Sequence, residues 1–142
     1  MSDWKLELET IFLADSQVSR AERENTRFVK FLREVVTPAL TEIAEEMRRL
    51  GRNAMIREAP VSTILSISKD NNVEEICYSV TRQFVNDGIL PRATVRVVRT
   101  NSRTTTHDQP FRADGEHYTL EDIGKEDIIR SFLSFYRMTK GQ

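Results

Sequence analysis

Residues that are apolar at every position except Asn25 recur near the N-terminus with alternating spacings of three and four. The series comprises Ile11, Ala14, Val18, Ala21, Asn25, Phe28, Leu32, Val35 and Ala39. This heptad spacing places nine side chains on one stripe of a helix, the arrangement with which two helices pack lengthwise. We call this stripe the seam. It predicts a long helix and points to assembly rather than to catalysis.

The first half of the helical region allows two interpretations. Asp3 is placed to cap a helix from about Trp4 to Leu13, whereas residues 14–27 are mostly polar. This polar stretch is either the solvated part of one continuous helix, or a break after which Asp15 or Ser16 caps a second helix.

From Phe28 to Leu50 the apolar positions widen beyond a single stripe. One flank of such a helix can face a partner while the other covers a sheet. Pro38 lies inside this pattern and predicts a kink or a break, because proline donates no backbone hydrogen bond. Gly51, which follows two arginines, predicts the C-terminal end of the helix.

After Gly51 the apolar period changes to two, which is typical of half-buried strands. The predicted strands cover about residues 53–58, 61–68, 76–84, 92–98 and 103–107. Asp70-Asn71-Asn72 and Asp87-Gly88 predict turns between them. Residues 108–116 predict a loop, and residues 125–139 an apolar final helix.

These elements predict an α+β fold in one domain spanning residues 1–142. The predicted order is a helical region at 3–50, an antiparallel meander of four or five strands within 53–119, and a C-terminal helix within 120–139. One face of the sheet is apolar and the other is rich in Ser, Thr and Arg, so the helices are expected to cover the apolar face.

Composition narrows the functional classes without naming one. The 21 basic and 22 acidic residues give a net charge of −1, whereas general nucleic-acid binders carry a basic excess. Cys77 is the single cysteine, which excludes an internal disulfide and a multi-cysteine zinc site. With no secretory signal and no apolar stretch near the roughly 18 residues of a membrane span, we expect a cytoplasmic protein. Separately, we expect no cofactor.

The leading hypothesis is a non-catalytic assembly module that forms a homo-oligomer, with a dimer favoured, or that binds another protein. Helical apolar surface in excess of what one sheet covers supports it. The predicted contact residues are Ile11, Val18, Asn25, Phe28 and Leu32 of the helical region, with Phe132 and Phe135 of the last helix.

The second hypothesis is a site for a phosphate-bearing ligand or a nucleic acid on the polar face of the sheet. Arg92 and Arg96 lie on the same face of one predicted strand, and Arg99 and Arg103 flank the next turn. Guanidinium groups beside hydroxyls suit phosphates. However, this face offers no exposed aromatic residue for stacking on bases, and hydroxyls on the solvated face of a sheet are ordinary.

The third hypothesis is an enzyme or metal site around His107, Asp108 and His117. Two imidazoles with nearby carboxylates can bind a metal or exchange protons, but this spacing matches no common ligand set. Cys77 falls on the polar face of its strand, and no neighbouring base in the sequence marks it as a nucleophile. We therefore expect neither catalytic nor metal-binding residues.

Overall fold

The computed structural model describes residues 3–85, 88–111 and 118–140, and leaves out the side chains of residues 16–19 and 85. Its helices are α1 (Trp4–Phe31), a π-helical turn (Leu32–Val36), α2 (Thr37–Arg49), a 3-10 turn (Leu120–Asp122) and α3 (Lys125–Met138). The strands are β1 (Asn53–Ala59), β2 (Ser62–Ser68), β3 (Glu74–Val85), β4 (Gly88–Val98) and β5 (Thr104–Pro110). The predicted α+β fold is confirmed.

The helical region is continuous through its polar stretch, so the alternative with a break near Asp15 is wrong. Pro38 is accommodated by the π-helical turn directly before it, in which Thr37 N–H donates to Leu32 O. The backbone keeps helical angles at Phe31 and at Thr37, on either side of this turn. The wider turn displaces the carbonyls that precede the proline ring, which takes up the predicted disturbance without ending the helix.

The five strands form one antiparallel sheet in the order β1-β2-β3-β4-β5. Strict alternation along β2 and β4 buries every second residue, including Leu65 and Val95, against the helices. The neighbouring positions face the other way, among them Ser79 opposite Thr94. The predicted alternation therefore places the Ser, Thr and Arg side chains on the outer face, as expected.

One core joins the end of α1, α2, α3 and the inner face of the sheet. Its largest fully buried side chains include Phe28, Leu40, Tyr78 and Phe132. The Tyr78 ring meets the Phe132 ring edge-on at 5.8 Å, and its hydroxyl donates to Ser131 Oγ at 2.8 Å. Apolar burial and a satisfied hydroxyl together fix α3 on the sheet.

Several details of the sheet differ from the prediction. The strand β4 already begins at Gly88, ahead of the predicted 92–98. The strand β5 continues to Pro110, so the first three residues of the predicted loop 108–116 pair with β4, and His107 lies inside a strand rather than at its end. Phe84 follows the apolar alternation of β3 but is 63% exposed, because it lies near the end of the β3–β4 hairpin, where its ring instead meets the Arg82 guanidinium at 4.8 Å.

Candidate assembly surface

The first part of α1 projects away from the core. Every described side chain from Asp3 to Arg23 is exposed. At 1.5 Å per residue this stretch is about 30 Å long. The large apolar side chains exposed on it are Trp4, Leu6, Leu8, Ile11, Phe12 and Leu13. We call residues 4–23 the projecting segment.

The seam runs along the projecting segment. Trp4 precedes Ile11 by seven residues and extends the seam toward the N-terminus, and both side chains are about 60% exposed. Leu6 and Leu13 are also seven apart, but the 100° rotation per residue places Leu13 about 160° from Ile11 around the axis. The segment therefore presents one apolar stripe on the seam and a smaller one on the opposite side.

The projecting segment ends where α1 meets the β3–β4 hairpin. A Cβ atom on Gly88 would lie 2.7 Å from Glu24 Oε2, so the hairpin backbone passes directly against this side chain. The next residue of α1, Asn25, accepts a hydrogen bond at its Oδ1 from Arg82 of β3. From Phe28 onward the seam residues face the core of the same chain, with Phe28 fully buried.

The structure distributes the seven predicted interface residues unevenly. Ile11 is 63% exposed, the Val18 side chain lies outside the described residues, and Asn25 is half-buried against Arg82. The other four belong to the core of the chain itself: Phe28, Leu32, Phe132 and Phe135. The exposed seam residue that sequence reasoning left out is Trp4, although its spacing from Ile11 marks it.

Two arginines of the outer sheet face, Arg92 and Arg96, are paired with acidic residues. Arg96 donates through Nε and one terminal nitrogen to the Glu74 carboxylate at 2.8 and 2.9 Å, and Arg92 Nε donates to Asp108 Oδ1 at 2.8 Å. The hydrogen bonds and charge of Glu74 raise the pKa of Arg96 above its ordinary value. These two guanidinium groups therefore already hold anionic partners from their own chain.

The other two predicted anion-binding residues lie at the β4–β5 connection. Arg99 N–H donates to Arg103 O at 2.9 Å, which closes the turn between the strands. Arg103 is exposed and Arg99 half-buried. Both residues lie next to a turn, as predicted. The hydrogen bond between their backbones helps to close this turn.

The predicted histidine site is divided by the pleat of β5. His107 lies on the inner face, with its ring 5.6 Å from that of Phe135 and its Nε2 3.1 Å from Thr105 Oγ1. Asp108 lies on the outer face with Arg92. His117 lies outside the described residues. Within residues 3–85, 88–111 and 118–140, no three His, Cys, Asp or Glu side chains gather as metal ligands would.

Cys77 lies on the outer face of β3, as its predicted register requires. Its side chain is half-buried and free, and Ser66 Oγ donates to its sulfur at 3.8 Å. This contact joins Cys77 to a hydroxyl of the neighbouring strand β2.

A buried carboxylate at the start of β3 was not predicted. Glu75 has a side chain only 3% exposed, and it accepts hydrogen bonds from Arg52 Nε at 2.7 Å, Tyr136 Oη at 3.0 Å and Lys140 Nζ at 3.2 Å. Burial alone opposes its ionisation, but these donors outweigh burial and lower the pKa of Glu75. The cluster joins the start of β1, the sheet and the end of α3, and its role is structural.

A small groove follows the π-helical turn. It encloses about 140 Å³ between Leu32, Arg33 and Thr37 on one side and Glu58 and Thr63 on the other. Ligand pockets for small molecules usually enclose about 300–1,000 Å³. The Thr37 and Thr63 hydroxyls lie 3.3 Å apart and share one hydrogen bond inside the groove.

The helices that the structure describes include none with the length and apolar character needed to cross a lipid bilayer. Comparison of the chain with protein-family models, with curated proteins and with solved structures found no match in any of the three.

Proposed function

We propose that this chain is a non-catalytic assembly module that self-associates through the seam of the projecting segment. The observation that carries the proposal is a helical segment about 30 Å long whose large apolar side chains, between Trp4 and Leu13, are left exposed by the part of the chain that the structure describes. Burying a large apolar side chain contributes about 1.5–3 kcal/mol. Pairing would bury Trp4, Leu8 and Ile11 together, on both protomers.

A second copy suits this surface better than a membrane does. Helices that lie on lipid carry Lys and Arg on their polar face, which attracts anionic headgroups. Residues 3–15 instead carry Asp3, Glu7, Glu9 and Asp15 against the single Lys5. Anionic lipids would repel residues 3–15, where the large exposed apolar side chains lie, whereas heptad spacing is a feature of helix-to-helix pairing.

The proposal extends to the location of the protein. A free, half-buried Cys77 as the single cysteine fits a reducing compartment, and we place the module in the cytoplasm.

The test is the molar mass in solution of two matched double variants, measured by light scattering on a sizing column. Trp4→Glu/Ile11→Glu introduces two carboxylates on the seam, and Leu6→Glu/Leu13→Glu introduces the same two charges at the same spacing on the opposite side. We expect the first variant to be a monomer and the second to keep the wild-type oligomeric mass. Equal masses for wild type and the seam variant would contradict the proposal.

A further inference from the structure

The seam of the projecting segment also constrains how two copies can pair, an inference that rests on the proposed self-association. Its positions alternate between large and small or charged side chains: Trp4, Glu7, Ile11, Ala14, Val18 and Ala21. In a parallel pair in register each residue meets its own copy. In an antiparallel pair each meets a different residue.

Side-chain volume favours the antiparallel arrangement. A parallel pair would stack Trp4 on Trp4 and leave Ala14 and Ala21 facing their own copies across a gap. An antiparallel pair can set Trp4 against Ala21 and Ile11 against Ala14. Large side chains then face small ones in these two layers, as close packing requires, and Glu7 faces Val18 in the layer between them.

Charge favours the same arrangement. A parallel pair would bring the two Glu7 carboxylates into one seam layer, where like charges repel. In the antiparallel register just described, Glu7 faces Val18, and the two Glu7 residues are about 16 Å apart along the axis.

The rest of the chain limits the overlap of the two helices. From Asn25 onward the seam residues are occupied by the chain's own hairpin and core, with Asn25 bonded to Arg82 and Phe28 fully buried. In a parallel pair that continued along the seam beyond Asn25, the two helices would be separated, because each seam faces the core of its own chain there. An antiparallel pair shifted by one more heptad would place Trp4 on the partner's Phe28, which is inaccessible.

We propose that two copies of this chain pair antiparallel along the projecting segment, with Trp4 of one protomer against Ala21 of its partner and Ile11 against Ala14. The start of each projecting segment, at Trp4, then lies next to the partner's β3–β4 hairpin. There Gly88 lies on Glu24, and Phe84 offers an exposed aromatic ring. The partner of the projecting segment is thus a second projecting segment together with a hairpin end.

The test is disulfide trapping in a Cys77→Ser background. Trp4→Cys and Ala21→Cys variants, one of them carrying a size tag, are mixed, equilibrated under reducing conditions and then oxidised. The proposal predicts a mixed disulfide between the two variants, because a disulfide requires Cα atoms within about 7 Å. It predicts no homodimeric Ala21→Cys disulfide, because two copies of residue 21 would lie about 26 Å apart along the axis.

A second measurement keeps Trp4 in place. A spin label on Cys77→Ser/Ala21→Cys should give a distance between labels in the range of 26 Å, whereas a parallel pair would give a much shorter one. A dimer with a short distance or with homodimeric Ala21→Cys disulfides would overturn the antiparallel geometry and leave self-association standing. A dimer without the mixed disulfide would overturn this register. A wild-type monomer would remove the proposed function itself.

Discussion

The Glu24 side chain lies against Gly88, and this contact marks the point at which α1 leaves the body of the molecule. A Cβ atom on Gly88 would come within 2.7 Å of Glu24 Oε2, and Gly88 has a φ of +141°. Before Glu24, every described α1 side chain is exposed. After it, the helix packs on the sheet. The hairpin end thus separates the part of the seam left for a partner from the part that the chain itself covers.

Substituting Gly88 tests this contact. Gly88→Ala should lower the free energy of unfolding by about 1–3 kcal/mol, because a side chain is strained at this φ and meets Glu24. Gly51→Ala is the matched control. It also has a positive φ, +92°, but nothing lies within 4 Å of the added Cβ. Adding Glu24→Ala should recover part of the loss at Gly88 and none at Gly51. The unfolding free energies are measured in urea. If Glu24→Ala restored the same amount of stability to Gly88→Ala and to Gly51→Ala, the contact would be contradicted.

The two parts of the seam should respond differently to truncation. Phe28→Ala should lower the unfolding free energy by about 3–5 kcal/mol, because Phe28 is fully buried in the core. Ile11→Ala should leave the stability of the dilute, monomeric chain within about 0.5 kcal/mol of wild type, because Ile11 is exposed there. Denaturant unfolding at low protein concentration measures both. A large loss for Ile11→Ala in dilute protein would show that its own chain covers it.

The buried Glu75 should make stability depend on pH in acid. Its folded-state pKa is lowered from the ordinary 4.5, so the stability it contributes is complete above that value and is lost as the pH falls through the lower folded-state pKa. Glu75→Gln should lower the unfolding free energy by about 1–3 kcal/mol at neutral pH. The gap between variant and wild type should narrow below pH 4.5. Unfolding curves recorded from neutral pH into acid measure this difference in unfolding free energy. A difference that stayed constant with pH would contradict a role for the negative charge of Glu75.

The Tyr136 hydroxyl should make the free energy of unfolding depend on pH in the alkaline range. Burial, followed by its hydrogen bond to Glu75, raises its pKa from 10.0 to about 12. The contribution of the neutral phenol is therefore complete below pH 10 and is lost as the pH rises toward 12. Tyr136→Phe keeps the ring stacked on Phe132 at 5.6 Å and should show a shallower loss of stability over this range. Parallel alkaline unfolding curves for the two proteins would rule out this titration.

The sequence predicted what depends on local periodicity. Alternation along β2, β3 and β4 placed Leu65, Tyr78 and Val95 correctly on the inner face, because the pleat has a period of two whatever the sheet packs against. Gly51 ended the helix, as its positive φ requires. Even the disturbance at Pro38 follows from the missing backbone N–H, although its form as a π-helical turn does not.

What the sequence left open depends on contacts between distant residues. Ile11 and Phe28 occupy one heptad series, and the spacing alone cannot tell a stripe that meets a second copy from one that meets the chain's own sheet. The pairing of Arg96 with Glu74 requires the register of β3 against β4. The burial of Glu75 accompanies a register shift between β2 and β3 at Ile67 and Ser68, which no residue pattern announces.

Sedimentation equilibrium of the unmodified chain over a wide concentration range tests self-association most directly. We expect a mass that rises to twice the 16.5 kDa of one chain and falls toward 16.5 kDa on dilution. A constant mass of 16.5 kDa at every concentration would contradict it, because the exposed seam would then remain uncovered by a second copy.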